Sequence, residues 1–467
     1  MMLTGRRAAA LRAAVADIPG AALRVPGDED AAANWEAQAR PAAVATAATP
    51  DGWARLVQAV RATGLPLVVR GRGWSPAGLG SAAGAVILST AALTEVSWVA
   101  ERRLRVGGGA SAGMTEPVLA SAGQALTMPV PSDPGVIGAA LAGGVGFTLR
   151  RLGMNCDALL SATLVTAAGD VRQVDDATDP ELMWALRGAG SQFGLVCAAE
   201  FETAPLGPVH VVQQVIDLAS GAAALLDYDA WTRDGLTEAV TSVAMARNAP
   251  PLPGVPAAAV GRPALLLTSV HTGSEAAAER DLAPLRGLPG VLAERRLTTT
   301  LAQLRAVTDA PFRSVTGSRA NGNGARFGIR TASGWSAGLT PAAAEALTVL
   351  AAEMPPGESI VEVAAMGGAA AHPARPSSAP GRDARHLLNV MAIWTDQGQR
   401  DAHLRWAAWA RQTVTVLRAG TEISPSFTDL ADLGRPGCYG AATARLRAVK
   451  ERLDPDRAFG VNLTLDR

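Results

Sequence analysis

From residue 40 to 205 the apolar positions fall in short runs that glycine keeps interrupting. Trp53, Leu56, Val57 and Val60 share one helical stripe, opened by Pro50 and stopped by Gly64, so a helix is predicted there. Leu65 to Val69 is then an apolar strand that runs straight into a glycine loop, and Ala85 to Ser89 is a second strand. Leu159 to Val174 reads as strand, turn at Ala168-Gly169-Asp170, and strand. A helix begins at Asp179-Pro180-Glu181 and ends at Gly188, and Gly194 to Thr203 alternates as a strand should.

Beyond Pro208 the texture changes. Ala264 to His271, Ser359 to Met366 and His386 to Trp394 are predicted strands. Helices are predicted over 274–286, 341–353 and 400–418, and Pro373 to Asp383 is a loop by composition. A last helix, Tyr439 to Leu453, stops at Asp454-Pro455, and Val461 to Leu465 is strand-like. The pattern is an α+β chain in two lobes: 1–207, 208–420, and a closing segment 421–467 that returns to the first lobe.

A length of 467 residues exceeds one ordinary core, which agrees with two lobes. The 42 basic and 42 acidic residues cancel, so no charge excess favours nucleic acid or an anionic membrane. Hydrophobic residues make up 48% of the chain, which excludes disorder. Cys156, Cys197 and Cys438 lie far apart and form neither a zinc pattern nor a disulfide framework, so a reducing, cytoplasmic setting is expected. No apolar run reaches the roughly 18 residues a membrane span needs. Gly5-Arg6-Arg7 is similar to a twin-arginine export signal, but Arg12 and Asp17 interrupt the alanine-rich stretch after it. The preferred reading is a short amphipathic helix.

Three segments are rich enough in glycine to bring backbone N–H groups close to a phosphate. They are Arg70-Gly71-Arg72-Gly73-Trp74-Ser75, then Pro131 to Gly138 continuing through Gly143-Gly144-Val145-Gly146, then Arg187 to Gly194. None has the spacing of a dinucleotide fingerprint in a βαβ unit or of a Walker loop. Each singly is compatible with ordinary turn chemistry.

Their order carries more. Pro180-Glu181-Leu182-Met183-Trp184-Ala185-Leu186-Arg187-Gly188-Ala189-Gly190-Ser191-Gln192-Phe193-Gly194-Leu195-Val196 resembles the P-x-L-F-W-A-L-R-G-G-G-x-N-F-G-V-V signature of berberine-bridge-enzyme-like flavoproteins. Cys156-Asp157-Ala158-Leu159-Leu160-Ser161-Ala162 stands where that family has C-D-N-L-L-S-A. Tyr439-Gly440, Leu446, Val449-Lys450, Asp454-Pro455, Phe459 and Asn462 are similar to its closing element. The resemblance implies an FAD-binding first lobe (the PCMH type, of the vanillyl-alcohol-oxidase fold) and a substrate lobe built as an antiparallel sheet backed by helices. The isoalloxazine would lie between them. The residues it assigns to FAD are Arg70, Gly71, Arg72, Gly73, Trp74, Ser75, Gly78, Ser132, Gly135, Gly138, Gly143, Gly144, Gly146, Val196 and Asn462.

The chain departs from that family at its anchors. The family's first loop usually reads R-G-G-G-H-S, with a flavin-linked histidine where this chain has Trp74. A second, cysteine linkage falls at Pro131. Neither residue can form the bond, so the FAD is expected to be non-covalent, and the chain to oxidise more weakly, to hold FAD less tightly, to use it without net redox, or to have lost it. Arg72 replaces the second glycine and is expected to pair with the pyrophosphate or to crowd it.

On the strand from Ser359 to Met366, period two places Ile360, Glu362, Ala364 and Met366 on one face. Glu362 is a lone carboxylate in an apolar strand, the position of an active-site glutamate in polyketide-tailoring relatives, and is the first catalytic candidate. His271, on a face with Leu265, Leu267 and Ser269, is the second. Tyr228 and Tyr439 are the two tyrosines, while Met245 and Ala365 stand where close relatives carry one. Asn389 is a candidate hydrogen-bond donor to substrate, with a satisfied core amide as the equal alternative. Two chemistries compete: ring formation on a polyketide-like small molecule, redox-neutral or not, and ordinary FAD-dependent oxidation with O2 as final acceptor. Ring formation is placed slightly ahead. Sequestration of a small molecule is a third, minor reading.

Overall fold

The computed structural model describes residues 6–26, 34, 36–37, 40–251, 254–316, 327–432, 438–460 and 465. Helix α1 (Arg6–Ala16) buries Leu11 and Val15 against α2 (Pro50–Ala62). The oxygen of Thr49 caps α2 by accepting from the N–H of Gly52, and Trp53, Leu56, Val57 and Val60 are all buried. Strands β1 (Ala22–Arg24), β2 (Ala43–Thr46), β3 (Leu67–Arg70) and β4 (Val86–Ser89) form one sheet in the order β1-β2-β4-β3.

The chain then lays down β5 (Val96–Ala100), β6 (Arg103–Gly107), α3 (Ala112–Ser121), β7 (Gln124–Ala125), α4 (Val136–Ala140) and α5 (Leu149–Leu152). Next come β8 (Leu159–Val165), β9 (Val171–Asp175), α6 (Pro180–Ala189), β10 (Leu195–Glu202) and β11 (Ala204–Pro205). A five-stranded antiparallel sheet runs β5-β6-β10-β8-β9, and β7 pairs with β11.

The second lobe comprises β12 (Val209–Asp217), α7 (Gly221–Asp234), β13 (Val240–Asn248), β14 (Pro263–His271), α8 (Glu275–Asp281), β15 (Val291–Thr299) and α9 (Leu301–Thr316). After these come β16 (Gly328–Ser336), α10 (Pro341–Ala352), β17 (Ile360–Ala365), β18 (His386–Trp394) and α11 (Arg400–Leu417). Its seven strands form one antiparallel sheet, β15-β12-β14-β13-β17-β18-β16. Finally α12 (Thr443–Leu453) buries Leu446, Val449 and Leu453 in the first lobe's core.

Helix α9 is not among the elements that apolar patterning predicts, although its start signal is legible. Thr300 and Gln303 form a reciprocal capping box: the N–H of Gln303 donates to Thr300 Oγ1 at 3.2 Å, and the N–H of Thr300 donates to Gln303 Oε1 at 3.3 Å.

Each strand of the seven-stranded sheet sends alternate side chains to two different surroundings. Val212, Ala244, Leu265, Leu267, Val361, Val363, Ala365, Leu388 and Val390 pack under α7, α8, α10 and α11. Burying one such leucine or valine contributes roughly 1.5–3 kcal/mol, so this face fixes the register. The opposite face meets the first lobe along three apolar seams. Trp335, Leu387 and Ala364 pack with Leu149, Met154 and Cys156. Val209, Val211 and Val270 pack with Phe147 and Ala125. Ile329, Met391 and Ile393 pack with Trp74. Between these seams the middle of the sheet carries half-buried residues, Met245, Leu266, Glu362 and Ala364, on the face toward the first lobe; they floor the interlobe cleft in which the family resemblance puts the isoalloxazine.

Candidate active site

The cleft floor is set by strand register. Ser333 on β16 opposes Asn389 on β18, which opposes Glu362 on β17, which opposes Met245 on β13, which opposes Leu266 on β14. Glu362 is half-buried with Ala364, while its neighbours Val361, Val363 and Ala365 are covered by helices. Asn389 Nδ2 donates to Glu362 Oε2 at 3.1 Å. Burial pushes the Glu362 carboxyl up to about 7, and the bond from Asn389 pulls the other way. A carboxyl so tuned can exchange a proton near neutrality.

His271 does not join it. It lies on the helix-backed face, 1% exposed, with Nε2 3.1 Å from Asp281 Oδ2, and its Nδ1 accepts from the N–H of Gly273 at 3.0 Å. Burial raises the Asp281 carboxyl, but hydrogen bonds from His271 and Thr237 outweigh it and hold Asp281 low. Both ring nitrogens of His271 are therefore engaged on the far side of the sheet, which removes it as a partner to Glu362. The tyrosine positions resolve similarly. Met245 faces Glu362, whereas Ala365 points into the helix-backed core. Tyr228 is buried beneath the sheet and donates to Ser242 O at 3.0 Å, and Tyr439 is buried in the first lobe. Asn389 is wholly buried, and its donor goes to Glu362.

Whether the first lobe suits FAD turns on its two glycine loops. Gly71 through Pro76 is a half-exposed run. Among the described residues no protein acceptor takes the backbone N–H of Arg72, Gly73, Trp74 or Ser75. Four consecutive N–H groups without a protein acceptor are the kind of donor set that an anion takes up. Ser75 O accepts from the N–H of Gly78 at 2.9 Å, and Gly78, at φ +67°, closes the loop. Arg70 lays its stem on Gly80. Arg72 spans the two loops: Nε lies 3.4 Å from Asp133 O, and its stem covers Gly135, where an added Cβ would meet Cγ at 3.1 Å. Gly138 is exposed, with open space at its Cα. These features fit a pyrophosphate.

Other assigned residues are occupied by protein. The N–H of Ser132 donates to Asp309 Oδ1 of α9 at 2.9 Å, so that N–H is not available to a cofactor. Gly143, Gly144 and Gly146 are buried against Met154, Asn155 and Met128, and Val196 is buried in the five-stranded sheet beside Gly108. Asn462 lies outside the described residues.

The third glycine segment is not a phosphate cradle. Every residue from Leu182 to Gly194 is buried except Ser191. Gly188 sits at φ +120°, and a Cβ there would meet Ala379 N at 2.4 Å. Arg187 reaches Leu159 O, Asp176 and Pro376 O, while the N–H of Ser378 donates to Arg187 O at 2.9 Å. The loop from Pro373 to Asp383 thus clamps this segment, and Gly188 serves that close approach.

Trp74, in the anchor position, packs its ring 6.2 Å from that of Phe327 and lies against the cluster of Phe327, Ile329 and Ile393. It is a wedge between the lobes. Sequence reasoning also missed α9, whose Arg305 is buried with Glu116 at 3.2 Å and donates to Val130 O at 2.7 Å. With Asp309 it fixes the start of the second loop.

Residues 41–175 match the FAD binding domain family. The chain is 29% identical over 453 residues to (R)-6-hydroxynicotine oxidase of Paenarthrobacter nicotinovorans, covering 94% of each. The berberine-bridge-enzyme-like 1 protein of Physcomitrella patens superposes with a TM-score of 0.83 at 19% identity, covering 98% of this chain and 99% of that one. Glucooligosaccharide oxidase from Acremonium strictum, a 6-S-cysteinyl, 8α-N1-histidyl FAD enzyme, superposes with a TM-score of 0.83 at 18% identity and the same coverage. No helix among the described residues is long and apolar enough to cross a membrane. With an FAD binding domain matched over residues 41–175 and this two-lobed fold throughout, the chain resembles the berberine-bridge-enzyme-like FAD-linked oxidoreductases.

Proposed function

We propose that this protein carries out FAD-dependent oxidation of a small, largely apolar metabolite that bears an ionisable O–H or N–H, with Glu362 as the proton acceptor. The observation that carries the reading is Glu362 itself. It is a half-buried carboxyl on the cleft face, raised to about 7, with one neutral donor for company. When bound, FAD supplies a two-electron acceptor that O2 can regenerate. The chain's residues do the rest. The N–H groups of Arg72 to Ser75 and the Arg72 guanidinium would hold the pyrophosphate. Trp74 and Pro131 offer no nucleophile, so the cofactor is detachable. Met245, Leu266, Ile360 and Met391 present an apolar floor that orients the substrate over Glu362 and excludes water. The segments 1–207, 208–420 and 421–467 divide the work into cofactor binding, substrate binding and closure. A whole-length relative named for oxidation of a hydroxylated nitrogen heterocycle supports this class of substrate.

Ring closure without net oxidation is the second reading. It is favoured by the row Ser333-Asn389-Glu362-Met245-Leu266, which holds one titratable side chain and no tyrosine. Such a floor shuttles one proton and otherwise works by proximity. It applies to a flexible polyketide-type substrate.

The test is spectroscopic. Acid precipitation of the yellow protein should release its colour to the supernatant. Anaerobic mixing with (R)-6-hydroxynicotine, and then with hydroxylated aromatic and polyketide-type compounds, should bleach the flavin, and O2 should restore it. Product formed with an unchanged flavin and no O2 uptake would replace oxidation by ring closure. A folded, colourless protein that takes up no added FAD would overturn the oxidation reading.

A further inference from the structure

We propose that Asn389 is a positioning residue for Glu362: its side-chain amide fixes one carboxyl oxygen across the sheet and so sets where, and at what pH, that carboxyl takes its proton. The inference rests on the reading of Glu362 as proton acceptor. Its own test needs no turnover.

Asn389 interrupts an apolar strand, His386-Leu-Leu-Asn-Val-Met-Ala-Ile-Trp. It is 0% exposed. A buried amide costs free energy unless its donors and acceptor are met. Here the scaffold meets almost none of that requirement. Nδ2 makes the bond to Glu362 Oε2, and Oδ1 has no partner among the described residues. Leucine or methionine would serve the packing better. An amide retained for a single bond, directed at the one carboxyl of the cleft floor, acts through that carboxyl.

The register makes the contact a fixed one. Asn389 and Glu362 are directly opposed on neighbouring antiparallel strands, where side chains stand about 4.5–5.5 Å apart at Cβ. Both strands are held from beneath by Val361, Val363, Leu388 and Val390. The amide therefore has no freedom to drift from the carboxyl.

Other ionisable groups around Glu362 are committed elsewhere. Arg247, on the same face of β13, pairs with Glu358 at 2.8 Å. Glu362 has no cation on its own strand, and β18 offers only Asn389 on this face. From the first lobe, Arg150 donates to Leu236 O at 2.9 Å and to Met366 O. Arg151 donates to Thr272 O. Beneath the sheet, Tyr228 donates to Ser242 O. Asn389 is the side chain within hydrogen-bond reach, so its removal should be read directly in the Glu362 titration.

The experiment is an infrared titration of the FAD-loaded protein. The C=O stretch of the protonated carboxyl is assigned to Glu362 by its loss in Glu362→Gln. Asn389→Leu keeps the branched outline, with bulkier methyl groups, and removes the donor. A bond that stabilises the carboxylate lowers its midpoint, so its loss should move the midpoint up by about one to two pH units. Asn389→Gln, which keeps the amide, should restore part of the shift. If Asn389→Leu fails to bind FAD or to melt cooperatively, Asn389→Ser, too short to reach Glu362, should give the same upward shift. An unchanged midpoint in a folded Leu or Ser variant overturns the proposal. If the midpoint shifts as stated but Glu362→Gln turns over normally, the positioning stands and the proton-acceptor reading fails.

Discussion

On the helix-backed face of the seven-stranded sheet, Asp229 is 4% exposed and fully partnered. His386 Nε2 lies 2.7 Å from Oδ1, the N–H of Leu339 donates to the same oxygen at 2.9 Å, and Arg385 Nη1 donates to Oδ2 at 3.1 Å. Asp281 and His271 form a second engaged pair on that face. On the cleft face Glu362 receives one bond, from a neutral amide. The two faces of one sheet thus meet carboxyls in two regimes: Asp229 on α7 and Asp281 on α8 against Glu362 on β17. Where the fold supplies cations and N–H groups, the acid's oxygens are fully engaged and serve stability. Where the fold withholds them, the acid is left near neutrality and remains free to react. The difference lies in which face meets helices of its own lobe and which meets the other lobe.

The largest expected effect comes from breaking the satisfied side. Asp229→Ala strips a buried histidine, an arginine and a backbone N–H of their acceptor, and should destabilise the protein by about 3–5 kcal/mol in denaturant unfolding. A loss below about 1 kcal/mol would show that the helix-backed network is not structural.

Breaking the other side should do the opposite. The Glu362 carboxyl sits at about 7 in the folded protein against 4.5 ordinarily. The folded state therefore holds this proton more tightly than the unfolded chain. The stability so gained is present below about pH 4.5 and is lost as pH rises through about 7. Glu362→Gln escapes that loss, so at pH 8 it should be more stable than the wild type by up to about 3 kcal/mol, with little difference at pH 4. Unfolding curves at the two pH values check the sign. A variant destabilised equally at both would place Glu362 among the structural acids.

The smallest effect concerns the cofactor loop. Arg72→Gly removes a cation but leaves the backbone donors of Gly73 to Ser75. FAD affinity, titrated on apoprotein by fluorescence, should fall about tenfold, about 1.4 kcal/mol, and become less dependent on salt. Unchanged affinity would mean that Arg72 serves only to join the loops through Asp133 and Gly135.

These contrasts mark how far the sequence was legible. The strand from His386 to Trp394 and the helices at 341 and 400 could be read from apolar period alone, because packing against α7, α10 and α11 enforces it. Period two also grouped His271 with Leu265, Leu267 and Ser269 correctly. It cannot say which face meets the other lobe, and that was what separated His271 from Glu362. Glycine was ambiguous for a related reason. Gly73 in an open loop and Gly188 pressed on Ala379 are the same letter, one facing solvent and one facing backbone from a loop nearly two hundred residues later in the chain. The fastening of the second loop by Arg305 and Asp309 of α9 is likewise a long-range contact that no local pattern carries.

The claim that Glu362 is the reactive acid opposite a redox-active flavin is tested most directly by the pH dependence of anaerobic flavin bleaching, wild type against Glu362→Gln. The ionised carboxyl is the acceptor, so the wild-type rate should rise with pH through an apparent pKa near 7. The variant should bleach about 10²–10⁴-fold more slowly, with that limb gone. Equal rates and the same limb in both proteins would contradict the account.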